Sequence, residues 1–370
     1  MPAILPQSIC IMRLSAIGDV CHAAALVTRI TRAWPECKIT WVIGKIEYEL
    51  VKGMHHVEFI VCDKKHPQAK AKLKMALQGR EFDVLLMMQV ALRANWLSTV
   101  IKAKRRIGFD WARAKEGHWL FTNCRIAPKQ HAHVLDGFMQ FADAIGVPKQ
   151  PLAWDIPIPE EDEQWAHEYA IALGTFVIVA PAASKAERNW TAQGYAQIMR
   201  RLIQQGITPV LCGGPGPVDA QITAEITALM ATESSQSPKA TETSVTVESS
   251  KSEQENHVEW VNLVGITSLK QMLAFMSHAQ CVLAPDTGPA HMATTVHTPV
   301  VGLYAHSNPL RTGPYLTIKY TVSVYEDAVE QQFNRPWQSL PWGTRVKGKD
   351  LMQKIDVEKV WAAITKILQL

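Results

Sequence analysis

An acid, a hydroxyl and a glycine stand together in the stretch Asp286-Thr287-Gly288-Pro289-Ala290-His291. The apolar run before it, 279–284, predicts a buried strand, and the residues that follow, 289–296, predict a helix. A helix that opens directly after a strand presents backbone N–H groups and a dipole that favours an anion. The same residues also fit an ordinary helix cap, with Asp286 or Thr287 at the N-cap. The stretch therefore predicts either an anion-binding turn or a capped helix.

Similar turns, with glycines, small hydroxyls and cations, follow other apolar runs at 15–19, 181–188, 213–216 and 305–309. Glycines let the backbone approach a diphosphate and cations neutralise its charge, so several such turns in one half of the chain favour a nucleotide site. The sequence has no GxxxxGK[ST] loop, and no GxGxxG follows the first strand, which argues against a P-loop ATPase and a dinucleotide site. An Asp-x-Asp pair, the usual holder of Mg²⁺ on a nucleotide sugar, is also absent from the sequence.

Strand and helix patterns alternate along both halves of the chain. Apolar runs predict strands at 8–14, 38–43, 57–62, 82–88, 106–109, 175–180, 208–212, 260–264, 279–284 and 299–304. Helical spacing predicts helices at 20–34, 69–78, 91–104, 162–173, 192–205, 219–230 and 289–296, one beginning near Ser268, and an amphipathic one at 356–370. This alternation is typical of parallel sheets that carry helices on both faces.

The alternation is interrupted twice. Four prolines between 148 and 159 indicate a linker at 151–160. Eleven of the 27 residues at 231–257 are Ser or Thr and none is aromatic, so this segment is predicted to be a disordered insertion. We therefore expect an α/β chain with two Rossmann-like domains, 1–150 and 161–345, whose parallel sheets face each other across a cleft, and a helical C-terminal segment at 346–370.

Composition limits the class of protein. At 370 residues, 47% hydrophobic and 19% charged, the chain is typical of a soluble two-domain protein. A net charge of +4 suits an anionic ligand or membrane surface and is too small to argue for nucleic acid. Seven scattered Cys without a CxxC pair indicate a reduced, cytoplasmic protein with neither a disulfide framework nor a zinc site. No apolar run reaches the ~18 residues that a membrane-spanning helix needs.

Three motifs resemble glycosyltransferase family 9, the ADP-heptose:lipopolysaccharide heptosyltransferases. They are the strand and Gly-Asp turn at 12–20, the small-residue turn with a cation and Trp at 184–190, and the 286–291 stretch with the strand 299–304 behind it. The resemblance implies a GT-B fold and an inverting, metal-independent transfer of heptose from ADP-heptose. It implies as acceptor the inner core of lipopolysaccharide, on lipid A–Kdo, reached from the cytoplasmic face of the inner membrane. No cofactor is expected.

The resemblance also assigns site residues. Asp19 is the expected general base; the residues alone favour an N-cap for the following helix, and the resemblance reverses this preference. The expected donor-binding residues are Ser184, Lys185, Arg188, Gly214, Asp286, Thr287, Gly288, Pro289 and His291, and the expected acceptor-binding residues are Ser15, Gly18, His22 and Gln89. The family often has Lys where Arg188 stands, with Lys185 as a nearby rival, and an acidic residue just after the Gly214 turn, where Asp219 is the nearest candidate.

A basic segment with interleaved Trp side chains suggests a further surface. It contains Lys102, Lys104, Arg105, Arg106, Arg113 and Lys115 with Trp96, Trp111 and Trp119. Such a surface is either an ordinary solvated face or a contact for an anionic glycolipid at the inner leaflet.

Other functions stay open on the sequence alone. The chain could be a nucleotide-sugar binding or regulatory module, which would not need Asp19, or a transferase of the same family with another sugar donor. An isomerase or epimerase would need acid–base groups gathered around the donor alone.

Overall fold

The computed structural model describes residues 5–234 and 259–370. Their contacts divide the chain into two compact units. The N-terminal unit extends to Pro159 and includes Leu310–Tyr315, and the C-terminal unit comprises Glu160–Pro309 and Leu316–Leu370. Within these residues, none of the helices combines the length and the apolar character that crossing a bilayer requires.

The N-terminal unit is built on a six-stranded parallel sheet in the order β3-β2-β1-β4-β5-β6. Its strands are β1 Ser8–Met12, β2 Lys38–Ile43, β3 Val57–Val61, β4 Phe82–Met87, β5 Ala103–Gly108 and β6 Cys124–Arg125. Its helices are α1 Ile17–Ala33, α2 Lys45–Val51, α3 Ala69–Ala76, α4 Leu92–Ser98 and α5 Val134–Ile145. In the centre β1 pairs with β4 in the register Ile9↔Val84 to Met12↔Met87.

The C-terminal unit repeats this order, since its parallel strands run β12-β11-β10-β7-β8-β9. The strands are β7 Phe176–Val179, β8 Thr208–Leu211, β9 Val261–Asn262, β10 Val282–Pro285, β11 Val300–Tyr304 and β12 Val322–Ser323. The helices are α6 Glu160–Leu173, α7 Ala192–Gln204, α8 Pro217–Ser234, α9 Leu269–His278, α10 Gly288–Thr295, α12 Tyr325–Phe333 and α13 Val357–Leu368. The short helix α11, Pro309–Thr312, belongs to the N-terminal unit except for its first residue. The two units are thus doubly wound sheets of one topology, and the α/β prediction is confirmed.

Close packing explains the choice of glycine at position 194 in the C-terminal unit. A Cβ on Gly194, in the first turn of α7, would lie 2.5 Å from the Trp190 ring, whose indole N–H donates to the Ile355 carbonyl at 3.1 Å. Buried Val360 and Ile364 on α13 join the same hydrophobic core. The glycine thus lets α7 approach the Trp190 ring closely enough to build the core that the C-terminal helix closes.

Several predicted boundaries were wrong. The helix expected at 91–104 ends at Ser98, because the Arg106 guanidinium donates to the carbonyls of Ser98 and Ile101 and β5 begins already at Ala103. Helix α1 begins at Ile17, three residues early. Helix α8 continues to Ser234, into the segment predicted to be disordered, and the rest of that insertion lies outside the described residues. In the C-terminal segment 346–370 the helix begins only at Val357.

Candidate functional site

Strand order brings the predicted turns together within each unit. In both sheets the order reverses between the first and fourth strands, β1 and β4 in one unit and β7 and β10 in the other. Ligands of doubly wound sheets bind outside the carboxyl ends of the strands at this switch point. The turn 15–19 and Gln89 follow β1 and β4, and the turns 181–188 and 286–288 follow β7 and β10. Each unit therefore has one candidate site.

Three polar side chains meet at the N-terminal switch point. The Gln89 amide oxygen accepts from the Leu14 N–H at 2.8 Å, and its amide nitrogen lies 3.5 Å from the Ser15 hydroxyl. Lys64, which the sequence analysis missed, donates to the same hydroxyl. Its only sequence signal was a position shortly after the third strand. The structure thus joins the predicted acceptor residues Ser15 and Gln89 and adds a cation to them.

Asp19 lies in the first turn of α1 beside these residues in sequence and is about one-third exposed, at 35%. Its Oδ2 forms an ion pair with Arg13 and accepts from the Ala16 N–H at 3.4 Å. No hydrogen bond involves Oδ1 within the described part of the chain. Asp19 is therefore not the N-cap residue itself, although it helps to close the first turn, and one of its oxygens is available to a ligand.

Arg13 is a largely buried partner, with only 11% of its side chain exposed. Its guanidinium donates to the Met88 carbonyl at 2.5 Å and lies 5.3 Å from the centre of the Phe138 ring. Burial lowers the pKa of Arg13, and the Asp19 carboxylate acts in the opposite direction. Since arginine keeps its proton near neutral pH even so, Arg13 holds Asp19 from a fixed position at the end of β1.

The other two predicted acceptor residues, Gly18 and His22, face the interior of the N-terminal unit. Gly18 is buried in α1, and His22 is only 3% exposed. The His22 ring packs edge-on against His133 and Phe138, with ring centres 5.5 and 6.3 Å apart. The structure thus shows His22 packed within the N-terminal unit, and its contact with the acceptor stays a prediction.

Hydrogen bonds link three strand-end turns of the C-terminal unit. Ser307, after β11, donates to the Asp286 carboxylate at 2.6 Å, and Thr287 donates to the Ala182 carbonyl, after β7, at 3.2 Å. Neither Asp286 nor Thr287 accepts a capping bond from the start of α10, although Thr287 occupies the N-cap position. The capped-helix interpretation is therefore wrong for these two side chains, and α10 begins, with Gly288 and Pro289, without a side-chain cap.

His306 is a residue of this cluster that the sequence analysis did not select. Its Nδ1 lies 3.0 Å from the Val346 carbonyl oxygen and its Nε2 lies 2.9 Å from the Glu187 carbonyl oxygen. A neutral imidazole has one N–H, so both contacts are hydrogen bonds only in the imidazolium form. The one signal in the sequence was its place in the polar turn after β11. His306 ties the residue before Arg188 to the C-terminal segment.

The two candidate cations of this unit differ in their surroundings. Lys185 is exposed and lies 3.8 Å from the Glu187 carboxylate. Arg188 is half-buried, and in the described ranges its side chain has no ion pair or hydrogen bond. Ser184 is exposed on the same turn. Of these two cations, Arg188 is therefore the one whose charge is not paired with a carboxylate within the described residues.

Two further predicted donor residues are Gly214, which forms a hydrogen bond within its own turn, and His291, which is buried. The Gly214 N–H donates to the Asp219 carboxylate at 2.9 Å, and burial raises the pKa of Asp219. Asp219 therefore closes its own turn. His291, the fourth residue of α10, is buried at 7% exposure.

Comparisons with known proteins agree with this architecture. A family model described as glycosyltransferase family 9 (heptosyltransferase) matches residues 70–339. The chain is 41% identical over 363 residues to the lipopolysaccharide core heptosyltransferase OpsX of Haemophilus influenzae, with 98% of this chain and 97% of that protein covered.

Two solved structures share the fold over almost the whole chain. A family 9 glycosyl transferase from Veillonella parvula superposes with a TM-score of 0.73 at 20% identity, covering 98% of this chain and 97% of the other. The Escherichia coli heptosyltransferase WaaC, solved with ADP, superposes with a TM-score of 0.68 at 17% identity, covering 97% and 99%. The fold is thus of the expected GT-B type. With the family match over most of its length, the chain belongs to glycosyltransferase family 9, the heptosyltransferases, and is a glycosyltransferase.

Proposed function

We propose that this enzyme transfers a heptose from ADP-heptose to the inner core of lipopolysaccharide, on a lipid A–Kdo acceptor, with inversion and without a metal ion. One observation carries the choice of substrate class: the 41% identity that extends over almost the full length of a lipopolysaccharide core heptosyltransferase. The acceptor implies that the enzyme works at the cytoplasmic face of the inner membrane.

The donor diphosphate is proposed to bind in the C-terminal unit. Three features support this: the uncapped start of α10, the uncommitted charge of Arg188, and the hydrogen bonds that fix the turns after β7, β10 and β11 to one another. Helix N-termini and half-buried guanidinium groups are both good partners of phosphate oxygens. The ADP in the related WaaC structure supports an adenine nucleotide as donor.

The acceptor hydroxyl is proposed to lose its proton to Asp19 as it attacks the anomeric carbon. Inverting transfer is a single in-line displacement, so a base must lie within hydrogen-bond reach of the attacking oxygen. Arg13 and the Ala16 N–H both contact Oδ2 of Asp19, which orients the carboxylate and leaves Oδ1 for the acceptor. The proposed polar contacts of the acceptor are Ser15, Gln89 and Lys64, which meet beyond the carboxyl ends of the strands of the same sheet.

The leaving ADP gains negative charge as the glycosidic bond breaks. Groups that are already in place for that charge lower the barrier without reorganising. Arg188 and the start of α10 are proposed to provide this stabilisation, and the sequence has no Asp-x-Asp pair that would hold Mg²⁺ instead.

The direct test is a panel of nucleotide sugars, incubated with the protein and a lipid A–Kdo acceptor in excess EDTA, with release of nucleoside diphosphate as the readout. We expect ADP release from ADP-heptose only when acceptor is present, and a product with inverted anomeric configuration by NMR. Donor binding without transfer would support the binding-module alternative. Loss of activity in EDTA that Mg²⁺ restores would contradict the metal-free mechanism.

A further inference from the structure

Tryptophan is unevenly exposed in this protein. Of the twelve Trp, all of which lie in the described ranges, three are exposed: Trp96 at 48%, Trp111 at 64% and Trp119 at 40%. All three lie between β4 and β6 of the N-terminal unit, and the exposed Leu92 and Leu120 accompany them. We call these five residues the tryptophan face. Contiguous exposed apolar side chains of this size mark an interaction surface more often than chance.

The members of the tryptophan face belong to two packed elements. Trp96 and Leu92 are on α4, and Trp119 and Leu120 are on the 3-10 turn His118–Phe121 that packs against α4. The rings of Trp111 and Trp119 lie 5.9 Å apart. The Leu92 N–H donates to the Glu116 carboxylate at 2.5 Å, which joins the start of α4 to the loop between the two Trp rings. The five side chains are therefore carried by adjoining segments, α4 and the loop and 3-10 turn that pack against it.

A buried histidine holds this surface in place. The His118 ring is fully buried; its Nδ1 lies 2.8 Å from the Asn95 amide oxygen on α4, and its Nε2 accepts from the Phe109 N–H at 3.3 Å. The residues that follow it, Trp119 and Leu120, are thus displayed from a fixed backbone. Their exposure is a property of the fold and not of a loose loop.

Cations stack on the exposed rings. The Lys70 ammonium lies 4.3 Å from the Trp96 ring centre, and the Arg125 guanidinium lies 4.0 Å from the Trp111 ring centre. An indole ring beside a cation matches the lipid headgroup region, where the ring meets the acyl boundary and the cation meets phosphate.

The cations that the sequence suggested are mostly engaged elsewhere. Lys104 pairs with Asp83 at 2.8 Å, Arg113 pairs with Asp110, and Arg106 donates to backbone carbonyls. Lys102, Arg105 and Lys115 remain exposed in the same region. Asp110 is neutralised by Arg113, and the single negative charge of Glu116 is smaller than the combined positive charge of these three exposed cations. The surface around the Trp rings is therefore positive, which selects an anionic partner.

We propose that the tryptophan face seats the N-terminal unit on an anionic lipid bilayer, with the Trp rings and leucines at the acyl boundary and Lys70 and Arg125 on lipid phosphates. The proposal deepens the proposed function, because a lipid-linked acceptor is embedded in such a surface. An anionic protein is the competing occupant. The cations would bind an anionic protein as well. Exposed leucines, however, are explained by a partner with an apolar interior, which a bilayer has.

The test uses the full-length protein and vesicles without donor or acceptor. Binding to phosphatidylcholine vesicles is compared with binding to vesicles that also contain phosphatidylglycerol, by sedimentation and by the blue shift of Trp emission. We expect binding to the anionic vesicles that weakens at high salt, and a loss of affinity of about tenfold or more in the triple variant W111A/W119A/L120S. The matched control, I171S/F333S, changes exposed apolar residues of the C-terminal unit and should bind like the wild type.

Charge is tested separately with Lys70→Glu and Arg125→Glu, which should reduce the preference for anionic vesicles. Absence of wild-type binding, or wild-type affinity in the triple variant, would overturn the proposal. Transfer to a soluble, acyl-free acceptor should be unchanged in the triple variant, while transfer to acceptor embedded in vesicles should fall. If vesicles bind but no heptose is transferred by the wild type, the proposed function fails and the bilayer contact stands.

Discussion

The two switch-point turns of this enzyme occupy equivalent places in sheets of the same strand order, yet they differ in chemistry. After β1, Arg13 and Asp19 form an ion pair, and Lys64 donates to the Ser15 hydroxyl. After β10, Asp286 and Thr287 use their side chains to fix neighbouring turns, and the start of α10 stays uncapped.

The difference shows how one architecture can serve two tasks. A fixed carboxylate with one available oxygen suits proton acceptance, whereas backbone N–H groups and an uncommitted guanidinium suit binding of a diphosphate. Variants in the two turns should therefore fail in different ways, one in transfer and the other in donor binding.

The largest effect is expected for Asp19→Asn. Removing a general base typically costs on the order of 10²–10⁴ in rate, so transfer should be nearly abolished while donor affinity stays close to that of the wild type. ADP release and donor calorimetry measure the two quantities. The matched control is Asp143→Asn, because Asp143 also pairs with a mostly buried arginine, Arg29 at 2.7 Å, away from the turn. Substantial turnover by the Asp19 variant would reduce Asp19 to a residue that closes the first turn of α1.

Arg188→Ala should weaken donor binding and slow transfer together, because the Arg188 guanidinium contacts the diphosphate both in the bound donor and while ADP leaves the sugar. The expected cost is roughly 2–4 kcal/mol of transition-state stabilisation, the scale for one preorganised donor. Lys185→Ala is the control, since this neighbouring cation is exposed and lies near Glu187, and its effect should be small. The reverse ranking of the two variants would make Lys185 the donor-binding cation.

A smaller effect is expected for His306→Ala. The ring holds the Glu187 and Val346 carbonyls, so its loss should loosen the turn that carries Arg188. At about 1 kcal/mol for each hydrogen bond, the loss of one or both contacts predicts a donor affinity lower by roughly fivefold to thirtyfold, with the KM for the acceptor unchanged. His118→Gln breaks a comparable histidine bridge in the N-terminal unit and should leave donor affinity unaltered. Equal losses of donor affinity in both variants would point to general destabilisation.

The last comparison concerns acid stability. Burial lowers the pKa of His118 to about 4, so the folded protein keeps this ring neutral while the unfolded chain protonates it below about 6.5. The contribution of the neutral His118 ring to the free energy of unfolding is fully present above pH 6.5. It is lost as the pH falls towards 4, and the loss is about 2 kcal/mol at pH 5. Hydrogen exchange should show β5 and α4 losing protection before β10 on acidification, and His118→Gln should flatten this dependence. Uniform loss of protection in both units would contradict this account.

Sequence periodicity predicted most long elements, because buried strands and amphipathic helices carry strong patterns. Strand β2 was predicted at its observed bounds, and the helix expected to begin near Ser268 is α9, which begins at Leu269. The prediction omitted α5, although Leu135, Phe138 and Ile145 repeat at helical spacing. It also omitted β6 and β12, which have two residues each and therefore no pattern to read.

The side-chain contacts of the turns could be predicted from the sequence only in part. The sequence places Asp19 and Asp286 after strands, but which partner each carboxylate takes depends on contacts between distant segments. Ser15 meets Lys64 across 49 residues, and the His306 ring reaches a carbonyl 119 residues away. Local pattern does not encode such contacts, so Arg13, Lys64 and His306 emerge only in the folded chain.

The central claim is that the turn after β1 accepts the proton and that the C-terminal unit binds the donor. It is tested most directly by calorimetric titration of ADP-heptose into the Asp19→Asn and Arg188→Ala variants in excess EDTA. Our account predicts wild-type affinity for the Asp19 variant and a dissociation constant at least about tenfold higher for the Arg188 variant, given the 2–4 kcal/mol scale of such a donor. Weakened binding in the Asp19 variant with unchanged binding in the Arg188 variant would contradict it.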